Sequence, residues 1–382
     1  MADDRMADDQ VAEDRTLITD LATVTANVRM LASLIDDTGI MAVVKQDAYG
    51  HGAVPCARAA LDGGAHWLGV AHVAEALALR QAGIADAPVL VLMAVPGEDH
   101  QAAIAAGIDL TAGSTELVDL IAQAARRAGK PARLQLKADT GLSRGGATRA
   151  DWPAVVDAAL DAEHDGLVEV TALWSHFACS DMPGHPSVGG QLDAFAEATE
   201  VAEKAGMTVR MRHMANTAAA LTVPEARFDL VRFGGALYGL STLPGGAPRW
   251  LRPALTLRAR LAMVKRVPAG TGVSYGLRYV TQKETTLGLV PLGYADGIRR
   301  SATGHYLVGY RGRRWPVVGT VCMDQFVVDF GDEQVAAGDE VVLFGPGEDA
   351  EPTAQDWADA LGTISYEIAV QLGARIPRSF IS

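Results

Sequence analysis

The sequence predicts an α/β plus β architecture: an N-terminal (β/α)8, TIM-like barrel followed by a mostly β C-terminal domain. Three observations carry this. Between residues 39 and 235, short apolar runs alternate with alanine-rich helical stretches eight times, and about 200–250 residues is the usual size of such a barrel. Several runs are preceded by a glycine that ends the helical pattern, at Gly83, Gly107, Gly129 and Gly206, a common helix stop. Beyond about residue 248 the pattern changes to β-like runs separated by turn dipeptides. An open doubly wound sheet is the rival for the first part, but no Gly-x-Gly-x-x-Gly follows the first run, which weakens its dinucleotide-binding version.

In chain order, the sequence divides into an acidic flexible tail over 1–15, a barrel over 16–245 and a mostly β domain over 246–382. A run at 16–21 precedes the barrel and is open to pairing with the C-terminal domain; an amphipathic stretch, 22–35, follows it. The barrel strands are expected at 39–45, 66–71, 88–94, 108–112, 132–138, 167–174, 208–214 and 228–233, with helices including 73–81, 114–127, 152–162, 191–205 and 217–221. The Pro/Gly-rich segment 243–248 reads as a linker. After it come β-like runs at 255–267, 286–292, 306–310, 315–329 and 340–344, and 354–361 reads as the one helix of this half.

Of 382 residues, 49% are hydrophobic and 21% charged, as in ordinary globular proteins, and 382 residues suffice for two cores. A net charge of -13 argues against nucleic acid or an anionic membrane as partner. Cys56, Cys179 and Cys322 form no paired or metal-binding spacing, which favours a reducing, cytoplasmic setting and no metal. The acidic start lacks a basic and apolar leader. No apolar run approaches the ~18 residues needed to span a bilayer.

Function in such a barrel collects at the C-terminal ends of the strands. Strand one ends in Lys45, with Tyr49 in the turn beyond; a desolvated amine there has a lowered pKa and can form a Schiff base. The bland alternative is a snorkelling lysine. Later strand ends carry Lys137 and Arg144, then Trp174 and His176, then His213, Asn216 and Thr217, and finally Arg232, Gly234 and Gly235. Asn216-Thr217 opens a helix and Gly234-Gly235 exposes backbone N–H groups, which suits a bound phosphate as well as a plain helix cap. A phosphate site beside a Schiff-base lysine points to pyridoxal 5'-phosphate.

The motifs resemble those of the alanine racemases, barrel-type (fold-type III) pyridoxal-phosphate enzymes, over nearly the whole chain after the tail. Val44-Lys45-Gln-Asp-Ala-Tyr49-Gly-His-Gly52 is similar to the family's cofactor-lysine signature. Further matches are Leu136-Lys137-Ala-Asp-Thr-Gly-Leu-Ser-Arg144, His213-Met-Ala-Asn-Thr217, Val231-Arg232-Phe-Gly-Gly-Ala-Leu-Tyr-Gly239, Val273-Ser-Tyr275-Gly276, Leu292-Gly-Tyr294-Ala-Asp-Gly297, Val321-Cys-Met323-Asp324 and Ile364-Ser-Tyr366-Glu367.

The resemblance implies interconversion of L- and D-alanine, a step that supplies D-alanine for peptidoglycan, with two bases on opposite faces of Cα. Lys45 would hold the cofactor and act as base for the D-enantiomer; Tyr275 would be the opposite base, contributed by the other subunit of a homodimer with shared sites. Tyr49, Asn216, Thr217, Gly234, Gly235 and Tyr366 would hold phosphate. Arg232 would face the pyridine nitrogen with His213 behind it, and His176 would link it towards Tyr275. Arg144 and the backbone at Met323 would bind the substrate carboxylate, with Tyr294 and Asp324 nearby. Lys137 matches a position carbamylated in several members. The sequence departs from the family pattern at Phe233 (proline common), Ser143 (glycine common) and Gly235 (a larger apolar residue common). Tyr294 and Trp174 read equally as packing aromatics. Broader racemases acting on serine or larger side chains, a decarboxylase of the same class and a non-catalytic cofactor carrier are the alternatives.

Overall fold

The computed structural model describes residues 14–182, 184–241, 243, 246–248 and 250–382. The expected tail lies, up to residue 13, outside the described residues, as do residues 244 and 245 of the expected linker. Two compact units emerge. Residues 20–254 form one; residues 255–381, with the strand segment up to Thr19, form the other.

In the first unit eight parallel strands follow the expected order. They are β2 (Gly39–Val43), β3 (Trp67–Val70), β4 (Val89–Val91), β5 (Asp109–Ala112), β6 (Ala132–Lys137), β7 (Val168–Trp174), β8 (Arg212–His213) and β9 (Leu230–Phe233), counting Arg15–Asp20 as β1. The ladder runs β8-β7-β6-β5-β4-β3-β2-β9. Between β8 and β9 the Asp229 N–H donates to the Arg212 carbonyl (3.1 Å) and the Arg232 N–H to that of Ala215 (3.0 Å), bridging the ends of the sheet. Parallel strands covered on both faces carry continuous apolar sequence, and Ile40, Met41 and Ala42 are buried accordingly.

Helix punctuation follows local chemistry. The Thr115–Ala128 helix starts where the Ser114 hydroxyl accepts the Leu117 N–H, and it stops at Gly129, whose φ of 64° a Cβ would oppose. The seventh strand-like run, expected over 208–214, shrinks to the two residues of β8; upstream of it Arg210 turns to an ion pair with Glu169.

The second unit holds a nine-stranded sheet. Its order is Met263–Val267, Thr285–Val290, Phe326–Asp329, Arg313–Val318, Leu307–Tyr310, Glu340–Phe344, Leu255–Arg260, β1 and Arg378–Ile381. β1 pairs antiparallel with Leu255–Arg260, Leu17 opposite Leu257. Arg311 and Gly312, at φ 48° and 69°, make the two-residue hairpin turn between their strands. Two expected runs are corrected. The 255–267 run breaks after Arg260, and the 315–329 run breaks at Gly319, whose φ is 68°. A second helix, Ser365–Val370, also stands where only 354–361 is expected to be helical; it has six residues and no capping side chain, so little marks its start. Among the described residues no helix is long and apolar enough to cross a membrane.

Candidate active site

β2 ends at Val43, and the turn expected after Lys45 is a left-handed helical one. Gln46, Asp47, Ala48 and Tyr49 all have φ between 52° and 55°, a conformation that costs roughly 1–2 kcal/mol per non-glycine residue. Specific contacts offset this. The Gln46 N–H donates to Glu75 Oε1 (2.6 Å), and the Ala53 N–H to Asp47 Oδ1 (2.7 Å). Glu75 Oε2 also accepts the N–H groups of Ala71 and His72, so one carboxylate ties the turn to the end of β3. Lys45 is thereby held half-buried at the strand end. Burial lowers its pKa first and Arg144 next; Glu75 opposes and Arg232 adds.

At the end of the neighbouring strand β9, the Tyr49 hydroxyl lies against Gly234, where an added Cβ would sit 2.3 Å away. Glycine is required there by close approach, and β2 and β9 jointly place Tyr49. Behind it the buried Tyr238 hydroxyl donates to the Val43 carbonyl (3.0 Å).

Arg232, the inward residue of β9, is buried and held by four partners. Its Nη1 donates to His213 Nδ1 (2.7 Å); its Nη2 lies 2.8 Å from the Ser175 carbonyl, 2.9 Å from that of Met214 and 3.0 Å from His176 Nδ1. Burial pulls its pKa down to about 9, which leaves it cationic at neutral pH. Both histidines sit well below the usual imidazole value, by burial first and Arg232 next. Trp174 is buried, stacks on His213 at 5.5 Å and lies under the guanidinium; its place is packing.

Lys137 Nζ sits over the same ring at 4.3 Å, its pKa lowered to about 8 by burial, then by Arg232 and Arg144, against Asp139. Arg144 is exposed at the end of a loop shaped by Asp139 Oδ1, which accepts the N–H groups of Gly141 and Ser143. Ser143 has φ 55°, which accounts for the glycine common at that position. Asn216 caps the Thr217–Thr222 helix, its Oδ1 accepting the Ala219 N–H and the Ser180 hydroxyl. Gly235 opens the buried turn Gly235–Tyr238. Lys45, Lys137, Arg144 and Arg232 thus share one mouth in which Glu75 and Asp139 are the opposing charges named. An excess of cations in a partly desolvated site suits an anionic ligand.

The other expected residues lie in the second unit. Tyr275 follows Ser274 (φ 61°) in a tight turn; its carbonyl accepts from Thr320 Oγ1 (2.8 Å) and the residue is 74% exposed. Tyr294 and Met323 are brought together through backbone. The Tyr294 N–H donates to the Cys322 carbonyl and the Ala295 N–H to that of Met323, and a Cβ on Gly293 would meet the Met323 oxygen at 2.2 Å. Asp324 is tied to Arg375 (2.9 Å), and Tyr366 stands half-buried in the Ser365–Val370 helix.

Sequence reasoning missed Glu75, Ser175 and a buried set inside the barrel, Asp109, Gln135 and Thr171. Gln135 accepts from His213 Nε2 (2.8 Å) and donates to Asp109 Oδ2 (3.1 Å), which also accepts the Thr171 hydroxyl (2.9 Å). A signal existed: Arg133, Gln135 and Lys137 are alternate, polar positions of one otherwise apolar strand, hence one face.

The family model described as alanine racemase, N-terminal domain, matches residues 19–242, and that of the C-terminal domain matches 254–380. An alanine racemase of Frankia casuarinae is 58% identical over 95% of this chain and 95% of its own. The solved alanine racemase of Streptomyces coelicolor superposes with a TM-score of 0.94 at 52% identity, covering 97% of this chain and 98% of the other. A Bartonella henselae alanine racemase, solved with covalently bound pyridoxal phosphate, gives 0.86 at 27% identity over 97% and 100%. Matched through both units and at better than half identity along nearly its whole length, the chain belongs to the alanine racemase family, enzymes that interconvert L- and D-alanine.

Proposed function

We propose that this alanine racemase works with pyridoxal 5'-phosphate and two opposed proton-transfer groups, Lys45 and Tyr275. The observation that carries the reading is the donor set of the barrel mouth. A half-buried amine of lowered pKa, Lys45, lies in the same mouth as a buried, firmly held guanidinium, Arg232. A hydroxyl, that of Tyr49, is seated where Gly234 lacks a Cβ. This set fits the cofactor. Lys45 would tether it; Tyr49, Asn216, Thr217, Gly234, Gly235 and Tyr366 would hold its phosphate; and Arg232 would donate to its ring nitrogen, with His213 and His176 fixing the guanidinium. When bound, the cofactor supplies an electron sink that acidifies the substrate Cα–H.

The chain's own residues do the rest. Lys45, made less basic by burial, takes the proton from one face of Cα in D-alanine or returns it there; Tyr275, contributed by a second copy of the chain in a homodimer, does the same on the opposite face. Exposed Tyr275, Leu277 and Val280 support a covering partner. Arg232 donates hydrogen bonds without readily yielding a proton, which limits side reactions such as transamination. Arg144 and the backbone at Met323 bind the substrate carboxylate, with Tyr294 and Asp324 beside them. Lys137, titrating near 8, is neutral often enough for its amine to add to CO2 with loss of one proton; the resulting carbamate anion would orient Arg144. Cys56, Cys179 and Cys322, none of them in a disulfide, support a cytoplasmic setting.

The test is Cα deuterium exchange and racemisation of alanine, serine and lysine, with a visible-absorbance scan of the holoprotein. Exchange on alanine with a visible cofactor band is expected. A cofactor-loaded protein that exchanges no amino acid contradicts the reading.

A further inference from the structure

We propose that Gln135 is a positioning residue, an amide spacer that ties His213 to the buried Asp109 carboxylate while keeping the imidazole neutral and its Nδ1 open to Arg232. The inference rests on Arg232 being the group held against the cofactor ring.

The polarity of the chain is fixed from both ends. A guanidinium only donates, so His213 Nδ1, 2.7 Å from Arg232 Nη1, accepts, and the imidazole proton is on Nε2. That proton is donated to Gln135 Oε1 at 2.8 Å. The carboxylate of Asp109 only accepts, so the Gln135 NH2 faces it, at 3.1 Å. Asp109 is anchored in turn by Thr171 Oγ1 (2.9 Å) and Arg133 Nε (2.7 Å). Tautomer and amide orientation therefore agree along the whole row, Asp109–Gln135–His213–Arg232, contributed by four strands, β5, β6, β8 and β9.

The residue type between His213 and Asp109 decides what passes between them. A carboxylate touching an imidazole favours the imidazolium. An imidazolium carries N–H on both nitrogens, so its Nδ1–H would face the Arg232 N–H across 2.7 Å, donor to donor and cation to cation. An amide of nearly the same shape passes on orientation but not charge. The other face of His213 is covered by the Trp174 ring, beyond which lies Lys137, and among the described residues no carboxylate bonds His213 directly. Burial and Arg232 both press the ring towards neutrality. Kept neutral, His213 fixes one edge of Arg232, while the Ser175 and Met214 carbonyls and His176 fix the other.

The experiment moves the charge without adding one. The double variant Gln135→Glu with Asp109→Asn keeps a single buried carboxyl in this pair but sets it against the imidazole, with the new amide donating back to it. Ring 15N NMR of histidine-labelled holoprotein reads the result at neutral pH. In the native protein His213 is expected neutral with its proton on Nε2; in the double variant both ring nitrogens become protonated, and kcat falls about tenfold with KM little changed. A native ring already protonated on both nitrogens, or a variant ring that stays neutral, overturns the proposal. Should the double variant not fold, Gln135→Met removes only the amide. The Nε2–H resonance should then lose its hydrogen-bonded shift, and an unmoved resonance overturns the proposal equally. A native holoprotein that racemises nothing would contradict the proposed function and leave the tautomer result standing.

Discussion

The two halves of the proposed proton-transfer machinery are built differently. In the barrel unit, polar side chains lock the site from within: Arg232 has four partners, Glu75 clamps the turn that follows Lys45, and Gln135 joins His213 to Asp109. In the β unit, hydroxyls hold the backbone of one turn, Thr320 Oγ1 donating to the Tyr275 carbonyl and Ser274 Oγ to that of Thr320, and Tyr275 itself projects 74% exposed. Burial and cationic neighbours lower the pKa of Lys45, whereas an exposed phenol acquires its working environment from whatever covers it. A preorganised half and a projecting half suit a site completed by a second copy.

The largest effect is expected from the preorganised half. Lys45→Ala should lower racemisation by about 10⁴-fold or more, since it removes a tether and a base together, and should abolish borohydride fixation of cofactor to protein. Retained fixation would move the tether elsewhere. Tyr275→Phe should cost about 10²–10⁴-fold in racemisation yet leave Cα deuterium exchange of D-alanine measurable, because Lys45 still serves that face. Equal loss of exchange for both enantiomers would erase the division of labour. Arg232→Glu should raise transamination relative to racemisation in a product assay, and unchanged partitioning would reject its role at the ring.

Smaller effects probe the supports. Glu75→Gln takes a charged acceptor from three backbone N–H groups; a stability loss of about 1.5–3 kcal/mol is expected by denaturant unfolding, since that is the worth of one charge-assisted hydrogen bond. A variant as stable as the native protein would mean the left-handed turn holds itself. The smallest effect concerns pH. The folded pKa of Lys137 is lowered to about 8 from 10.5. The unfavourable burial of its charge is therefore fully present below about 8, and stability recovers as pH rises from there towards 10.5. Bicarbonate should stimulate activity more steeply as pH passes through about 8. Lys137→Arg should remove that response, and a persisting response would place the CO2 effect elsewhere.

Much of this was legible in the sequence. Strand ends in a parallel barrel announce themselves as polar residues closing apolar runs, which is how Lys45, Lys137, His176, His213 and Arg232 stand out. Helix bounds such as Val73–Gln81 follow from apolar spacing and glycine stops. Other features leave weaker traces. The left-handed turn at 46–49 depends on Glu75, some thirty positions on and within a helix, and no local propensity favours it. Gln135 and Asp109 gain meaning only when β5, β6 and β8 lie in one barrel. The short Ser365–Val370 helix lacks both length and cap.

The most direct test of the shared, two-base site mixes two dead proteins. Lys45→Ala and Tyr275→Phe subunits, unfolded together or exchanged and then reassembled with cofactor, should form hybrids with one intact site each, restoring roughly a quarter of native racemisation under random pairing. No recovery, despite subunit exchange confirmed by mass-tagged heterodimers, would contradict the claim that Lys45 and Tyr275 meet from different copies of the chain.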